Sequence, residues 1–232
     1  MLQINNAVKK YLGTTAVNDV TLALEHGCTA ALLGPNGSGK TTLMKMIAGL
    51  TRPDKGEIRF DGKPLGPASK AAICYMPTEN YFYSWMSVRD AGRYYADFFK
   101  DFSITRYEEI LAREEIDMRK KARALSTGML AKVKLAIAFS RDSRLTMLDE
   151  PLNGIDILAR ERTVQMIREN IGSRTMLIST HLVDELESML DVLLFMKDGR
   201  LVLSGRREEL CKDGATLLDL YRQIYGEVQT NA

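Results

Sequence analysis

A chain of 232 residues is long enough to bury a full hydrophobic core and lies at the upper end for a single compact domain. Its 32 basic and 30 acidic residues leave a formal charge of +2, so nothing favours a nucleic-acid partner, which normally shows as a strong basic excess. The three scattered cysteines fit a reducing cytosol better than a disulfide framework or a zinc site.

Strands are predicted through most of the first third of the chain. Apolar and polar residues alternate around Leu2–Val8, Val20–Leu24 and Ile58–Phe60. Asp61 and Gly62 provide a turn after the last of these segments. Thr29–Leu33 is a short apolar run, typical of a strand buried in a parallel sheet, and a helical pattern then covers 41–50.

The middle of the chain has a helical pattern between Ser87 and Leu125. Ser87 resembles the first residue of a capping box that Asp90 completes. Apolar residues then recur near a helical spacing, at Val88, Ala91, Tyr94, Tyr95, Phe98 and Phe102. This pattern predicts a helical insertion near residues 87–140.

Helices and strands alternate beyond the insertion. Helices are predicted up to about Arg141, from Asp156 and from about Leu182, and strands at Leu145–Leu148, Thr175–Ile178 and Val192–Met196. Alternation of this kind is typical of βαβ units and a parallel sheet. The predicted fold class is α/β, with a parallel-sheet core, an N-terminal antiparallel β region and the helical insertion.

A glycine-rich loop follows the predicted strand Thr29–Leu33. Its sequence, Gly-Pro-Asn-Gly-Ser-Gly-Lys-Thr, matches G-x-x-x-x-G-K-[ST] at every fixed position, between a strand and a helix as the motif requires. In such a P-loop the backbone N–H groups surround phosphate oxygens, the lysine reaches the β- and γ-phosphates, and the hydroxyl holds Mg²⁺. We therefore expect ATP and Mg²⁺ at Gly34, Pro35, Asn36, Gly37, Ser38, Gly39, Lys40, Thr41 and Thr42.

Two acidic residues end the predicted strand Leu145–Leu148. Asp149 and Glu150 would then lie at the carboxyl edge of the sheet, where ligands of α/β proteins bind. Asp149 suits Mg²⁺, and Glu150 suits accepting a proton from an attacking water. An Asp-Glu pair after a strand is more often a solvated loop, but downstream of a P-loop it is a good catalytic candidate.

These motifs resemble the ATPase domain of ABC transporters, and the resemblance covers nearly the whole chain. Leu125-Ser-Thr-Gly-Met129 resembles the family's LSGGQ signature, which completes the ATP site of the opposite subunit. The resemblance therefore implies ATP contacts from Ser126, Thr127, Gly128 and Met129. Thr127 and Met129 depart from the family's usual Gly and Gln.

Further motifs follow in the family's order. Asn153-Gly-Ile-Asp156 resembles the D-loop, which carries contacts between the two sites, and Asp156 also suits a helix cap. His181 lies where the family's H-loop histidine contacts the γ-phosphate, and Tyr11 where an aromatic ring stacks on adenine. The resemblance thus implies Glu150, His181 and Lys40 as the catalytic residues.

The chain departs from the family after the predicted strand Ala71–Met76. The family usually has a glutamine there that senses Mg²⁺ and links to the membrane partner, whereas this chain has Thr78 followed by Glu79. Either residue could take the metal-sensing place, and the sequence does not decide between them.

An aromatic segment, Tyr81–Met86, comes next. In the family this region and the helical insertion receive a helix of the membrane subunit, and an aromatic, Met-containing patch suits such a socket. Internal packing of the insertion is the alternative. With neither an apolar run of about eighteen residues nor a secretory signal, we expect a chain at the cytoplasmic face of the membrane, held there by an integral-membrane permease.

The resemblance implies a head-to-tail homodimer or heterodimer that closes on ATP and opens after hydrolysis. The signature Leu-Ser-x-Gly-Met and the run Thr-His-x-x-Asp-Glu look like bacterial exporters of drugs, peptides or ions, with an importer as the alternative. A soluble relative acting on nucleic acid is less favoured, because such chains place a long coiled coil between the P-loop and the signature.

Overall fold

Two β-sheets organise the part of the chain that the computed structural model describes, which is residues 1–172, 174–182, 184–212 and 215–226. The strands are β1 (Leu2–Tyr11), β2 (Thr14–Leu24), β3 (Thr29–Leu33), β4 (Lys55–Phe60), β5 (Lys63–Pro64), β6 (Ile73–Met76), β7 (Leu145–Asp149), β8 (Thr175–Thr180), β9 (Val192–Lys197) and β10 (Arg200–Arg206). The α-helices are α1 (Lys40–Ile47), α2 (Pro67–Ala72), α3 (Val88–Phe98), α4 (Ile104–Arg113), α5 (Thr127–Ser140), α6 (Ile157–Ile171), α7 (Arg207–Leu210) and α8 (Leu217–Tyr225).

The N-terminal sheet is antiparallel, in the order β2-β1-β4-β5. Leu12 and Gly13 join β1 to β2 in a two-residue turn with φ values of 38° and 88°. Positive φ at both turn residues matches the twist of a tight hairpin, so pairing runs to the turn itself, with Tyr11 opposite Thr14. Both strands are therefore longer than predicted. The sequence did not reveal the turn, because Leu-Gly is not a typical hairpin turn sequence.

The second sheet has the order β10-β9-β3-β8-β7-β6 and is parallel except at β10. Its inner strands β3, β7 and β8 are buried along their whole length, as strands covered on both faces must be. The register pairs Leu33 with Thr180 and Asp149 with Ser179. The carboxyl ends of β3, β7 and β8 therefore meet at one edge, and this architecture confirms the predicted fold class.

Helices pack on both faces of the parallel sheet and form two apolar clusters. One cluster lies between the two sheets and includes Leu43 and Met44 of α1, and the other includes Leu135 and Phe139 of α5. The predicted capping box at Ser87 is confirmed, because its hydroxyl accepts from the Asp90 N–H and the Asp90 carboxylate accepts from the Ser87 N–H.

Three predictions of local structure were wrong. Ala71 and Ala72 end helix α2 rather than begin strand β6, since Pro67 starts the helix and the Ser69 hydroxyl accepts a 2.7 Å hydrogen bond from the Gly66 N–H. Phe102 lies after helix α3, which ends at Phe98, and its backbone forms a bridge to Arg141.

The third wrong prediction is a helix from about Leu182. The described residues between Leu182 and Leu190 form turns and a 3₁₀ helix, Glu187–Met189, instead of an α-helix. Leu186 and Leu190 are buried at a spacing of four, so the apolar pattern imitates a helix. Tertiary bonds override it: the Leu190 carbonyl accepts from Arg207, and Glu187 accepts from the Leu217 N–H.

In the described ranges, we find no helix with the length and apolar character needed to cross a bilayer.

Candidate active site

The P-loop leaves strand β3 at Gly34 and enters helix α1 at Lys40. A side chain at Gly39, which has φ of 104°, would overlap the carbonyl oxygen of Ala16 on strand β2. The Ser38 carbonyl accepts a 3.0 Å hydrogen bond from the Gly199 N–H in the β9–β10 turn. Neighbouring elements thus hold this loop from outside.

The donors of the P-loop point to an anion. Helix α1 begins after Gly39 with no side-chain cap and no acidic residue in its first turn, so its first N–H groups are available to a ligand. The buried Ser38 hydroxyl has no hydrogen-bond partner within the described part of the chain. The buried Lys40 ammonium donates to the carbonyls of Gly34 and Pro35, at 2.7 and 3.1 Å. These groups fit the phosphates of a nucleotide.

Asp149 lies fully buried at the end of β7, and its carboxylate accepts hydrogen bonds from three hydroxyl groups. Its Oδ1 accepts from Thr41 of helix α1 at 3.1 Å and from Ser179 of β8 at 2.6 Å. Its Oδ2 accepts from the Tyr75 hydroxyl of β6 at 2.9 Å. Burial, and next the negative charge of Asp149, raise the pKa of Tyr75, so this phenol stays a proton donor.

The pair Thr41 and Asp149 suits a magnesium ion. Both supply hard oxygen ligands, and their side-chain oxygens are 3.1 Å apart. A Mg²⁺ ion bound in proteins by one or two side chains typically completes its shell with water and substrate phosphates. The donor set of these two residues therefore fits the ion that the sequence predicts.

Glu150 connects the P-loop to the next strand. Its Oε1 lies 3.2 Å from Nζ of Lys40, and its Oε2 lies 2.9 Å from Nδ1 of His181, which follows β8. The main chain of Glu150 has φ of 49°, uncommon for a residue with a side chain. The Glu150 N–H donates to the hydroxyl and carbonyl oxygens of Ser179, which hold this conformation.

The loop after β6 contains Thr78 and Glu79. The Thr78 hydroxyl donates to the Asp149 carbonyl at 3.0 Å, whereas the Glu79 carboxylate pairs with Lys45 at 3.1 Å. Bonding to its own N–H, and next the hydrogen bond from Lys45, lower the pKa of Glu79. Thr78 therefore contacts the site through the backbone of Asp149. The Glu79 side chain instead contacts Lys45 of helix α1.

The remaining predicted residues lie at the start of α5, at the start of α6 and at the end of β1. Ser126 caps helix α5 by accepting from the Met129 N–H, and Asp156 caps α6 by accepting from the Ala159 N–H. Gly128 faces Ala159 closely, since an added methyl carbon would lie 3.1 Å from that side chain. The signature therefore packs beside the start of α6 in its own chain. Tyr11 ends β1 and is 45% exposed, with Nζ of Lys9 at 5.4 Å from its ring.

The sequence analysis missed three residues of this network. Tyr75 and Ser179 bind Asp149 directly, and Lys134 of helix α5 donates to the carbonyls of Thr78 and Glu79 at 2.9 and 3.3 Å. Burial lowers the pKa of Lys134 to about 8. Each is a polar residue in a largely apolar, buried element, which is a usable sequence signal.

A protein-family model described as ABC transporter matches residues 17–153, more than half of the chain and the whole stretch from the P-loop to Glu150. The chain belongs to the ABC transporter family. It is an ATPase of that family, and ATP hydrolysis is its reaction.

Curated relatives cover most of the ABC ATPase chain. The ABC transporter ATP-binding protein YtrB of Bacillus subtilis is 33% identical over 91% of this chain and 75% of its own length. The Nod factor export ATP-binding protein I of Cupriavidus pinatubonensis is 28% identical over 95% and 71%. The Fe(3+) ions import ATP-binding protein FbpC of Pseudomonas fluorescens is 33% identical over 90% and 62%.

Solved structures share the fold of this ABC ATPase. The ATP-binding subunit of an ABC transporter has a TM-score of 0.82 at 28% identity, over 97% of this chain and 99% of that one. A dimeric ATP-binding cassette bound to ADP and phosphate has a TM-score of 0.80 at 20% identity, over 90% and 99%.

Proposed function

We propose that the residues at the carboxyl edge of the parallel sheet form the ATP-hydrolysing site of a membrane transporter. Lys40 and the first N–H groups of helix α1 bind the phosphates, and Glu150 accepts a proton from the attacking water. The observation that supports this most is the position of Glu150 between Lys40 and His181, within 3.2 Å of both.

Each side chain has a separate part in the proposed reaction. His181 holds Glu150 through Nδ1, and its remaining ring nitrogen is available to the γ-phosphate. Thr41 and Asp149 would hold Mg²⁺, which neutralises the charge that develops on the phosphates. Lys40 exchanges its bonds to loop carbonyls for bonds to the β- and γ-phosphates. Tyr11 provides an exposed ring for adenine.

We further propose that two cassettes close on ATP. Ser126–Met129 begins helix α5, whose N-terminus attracts negative charge, and it covers the ATP held by the P-loop of the other subunit. ATP favours the closed form because it adds contacts that exist only there, and cleavage of the γ-phosphate removes this shared ligand. The similarly folded cassette bound to ADP and phosphate is itself dimeric.

The membrane contact is proposed at Tyr81–Met86, next to a helical subdomain of residues 87–140 within a single ATPase domain. Tyr83 and Trp85 stack at 5.6 Å and are 59% and 62% exposed, so they are available to a partner. Met86 is buried in the core, and Tyr81 and Phe82 contact each other at 4.5 Å. The outer part of this segment would receive a helix of the permease at the cytoplasmic face of the membrane.

Export is the proposed direction of transport, and import is the alternative. The Leu-Ser-x-Gly-Met signature supports export, while the relatives include both export and import proteins. The test is to reconstitute the chain with its membrane subunit in vesicles, with the ATPase side outward, and to supply Mg-ATP outside with a panel of dyes and peptides. ATP-driven accumulation inside supports export. ATP-driven loss from loaded vesicles supports import.

A further inference from the structure

Lys134 is a buried cation that contacts the loop beside the proposed ATP site. It lies on helix α5, which is apolar and buried on nearly all sides, and its side chain is 5% exposed. A charged group is rarely buried to this extent without a specific partner. The neighbouring buried lysine, Lys132, has such a partner, because it pairs with Glu114 at 2.6 Å.

The partners of Lys134 are main-chain groups of one loop. Its Nζ donates to the Thr78 carbonyl at 2.9 Å and to the Glu79 carbonyl at 3.3 Å, and it lies 5.7 Å from the centre of the Tyr81 ring. The described residues provide it with no ion pair of its own. Its direct hydrogen bonds therefore go to the backbone of residues 78–79, and the more distant carboxylates of Glu79 and Asp149 favour its charged form.

That loop is bonded in turn to the catalytic strand. The Thr78 hydroxyl donates to the main-chain carbonyl of Asp149, the residue before Glu150. A continuous path of hydrogen bonds therefore runs from the signature helix α5 through Lys134 and Thr78 to the end of β7. The usual glutamine of the family is replaced by Thr78 in this path, whose short side chain reaches Asp149 only if the loop backbone is held close.

We infer that Lys134 is a positioning residue for ATP hydrolysis, whose ammonium group holds the loop at Thr78 and Glu79 so that Thr78 stays bonded to Asp149. This explains why a cation occupies an apolar helix at this position, since an apolar side chain there leaves both carbonyls without a donor. The inference rests on the proposed assignment of Asp149 and Glu150 to the reaction.

The variant Lys134→Met tests the inference against its matched control, Lys132→Met, which removes an equally buried lysine from the same helix. Phosphate release with Mg-ATP should show kcat lowered about tenfold in Lys134→Met, with an unchanged KM for ATP, because displaced catalytic groups slow the reaction more than binding. Lys132→Met should keep the wild-type kcat. Lys134→Arg retains charge and donors and should recover most of the rate.

A second measurement reads the loop directly. Trp85 is the only tryptophan in the chain. It lies four residues after Tyr81, on the segment that continues from Thr78 and Glu79, so its emission should change if Lys134 no longer holds that loop. It should change in Lys134→Met and not in Lys132→Met. Thermal unfolding should show a lower melting temperature in both variants, because Lys134→Met leaves two carbonyls without a donor and Lys132→Met leaves Glu114 unpaired, so the rates are compared below both melting temperatures.

Three results would overturn the inference: a wild-type kcat in Lys134→Met, an equal loss in Lys132→Met, or Trp85 emission that is unchanged in Lys134→Met. The variant Glu150→Gln separates this failure from that of the proposed site. If Glu150→Gln abolishes turnover and Lys134→Met does not lower it, only the role of Lys134 is wrong. If Glu150→Gln remains active, the site assignment itself is wrong.

Discussion

Nδ1 of His181 lies 2.9 Å from Oε2 of Glu150. The two residues follow neighbouring strands, β8 and β7, so the parallel register brings them together although 31 positions separate them in the sequence. The other carboxylate oxygen of Glu150 lies 3.2 Å from Lys40. The Glu150 carboxylate therefore contacts both the P-loop, through Lys40, and the residue that follows β8, His181. Its orientation depends on both contacts.

Replacing His181 by alanine should lower kcat by about a hundredfold, because Glu150 loses the group that orients it and the phosphate loses a donor. The KM for ATP should change little. His26→Ala is the matched control, since His26 is the only other histidine and lies exposed beside Asp61. Phosphate release by both variants checks this, and equal rates would contradict the role of His181.

Replacing Lys40 by alanine should weaken ATP binding about tenfold to a hundredfold, because charge-assisted hydrogen bonds to the phosphates are lost. Lys45→Ala is the control on the same helix, where the half-buried lysine pairs with Glu79 instead. Titration calorimetry with ATP measures both. An unchanged affinity in Lys40→Ala would mean that this lysine does not bind the phosphates.

Two glycines of the P-loop should respond differently to alanine. At Gly37, with φ of 82°, an added methyl group meets open space, so Gly37→Ala should cost about 1–2 kcal/mol of backbone strain. At Gly39 the methyl group would overlap Ala16, so Gly39→Ala should lower the melting temperature further and displace the loop. Thermal unfolding compares the two. Equal melting temperatures would argue against the tight contact between the P-loop and β2.

Trp85→Ala should spare phosphate release by the isolated chain but weaken its association with the permease by about tenfold or more, as loss of an exposed aromatic anchor does. Val202→Ala is the control, because Val202 is an exposed apolar residue on the far edge strand β10. Co-purification with the membrane subunit measures the association. Undiminished capture of Trp85→Ala would favour internal packing as the role of this segment.

Much of the fold could be predicted because its signals are local. The apolar run before the P-loop and the strand before Asp149 both match the buried strands β3 and β7. The Asp198-Gly199 turn joins β9 to β10 with φ values of 48° and 75°, a conformation that the Asp-Gly sequence favours. The Leu12-Gly13 turn was hidden, because nothing in leucine favours positive φ. After Leu182 the apolar pattern wrongly predicted an α-helix, because Leu186 and Leu190 are buried at a helical spacing. Tertiary hydrogen bonds stabilise turns and a 3₁₀ helix there instead.

The motif residues of the candidate site could be predicted, but the residues that hold them by hydrogen bonds, Tyr75, Ser179 and Lys134, could not. Parallel strands bring their carboxyl ends together, so the sequence could place Asp149, Glu150 and His181 near the P-loop. The bonds from Tyr75 and Ser179 to Asp149 depend on the order and register of β6, β7 and β8. A single sequence does not contain that register. The functions of these residues in the reaction stay predictions.

Light scattering during size-exclusion chromatography tests the central claim most directly, on the wild-type chain and Glu150→Gln, with and without Mg-ATP, alongside phosphate release. Glutamine keeps the shape of Glu150 but cannot accept the proton, so Glu150→Gln should bind ATP, remain a dimer and release no phosphate, while the wild type turns over. A monomeric Glu150→Gln in saturating Mg-ATP, or one that still hydrolyses ATP, would contradict the account.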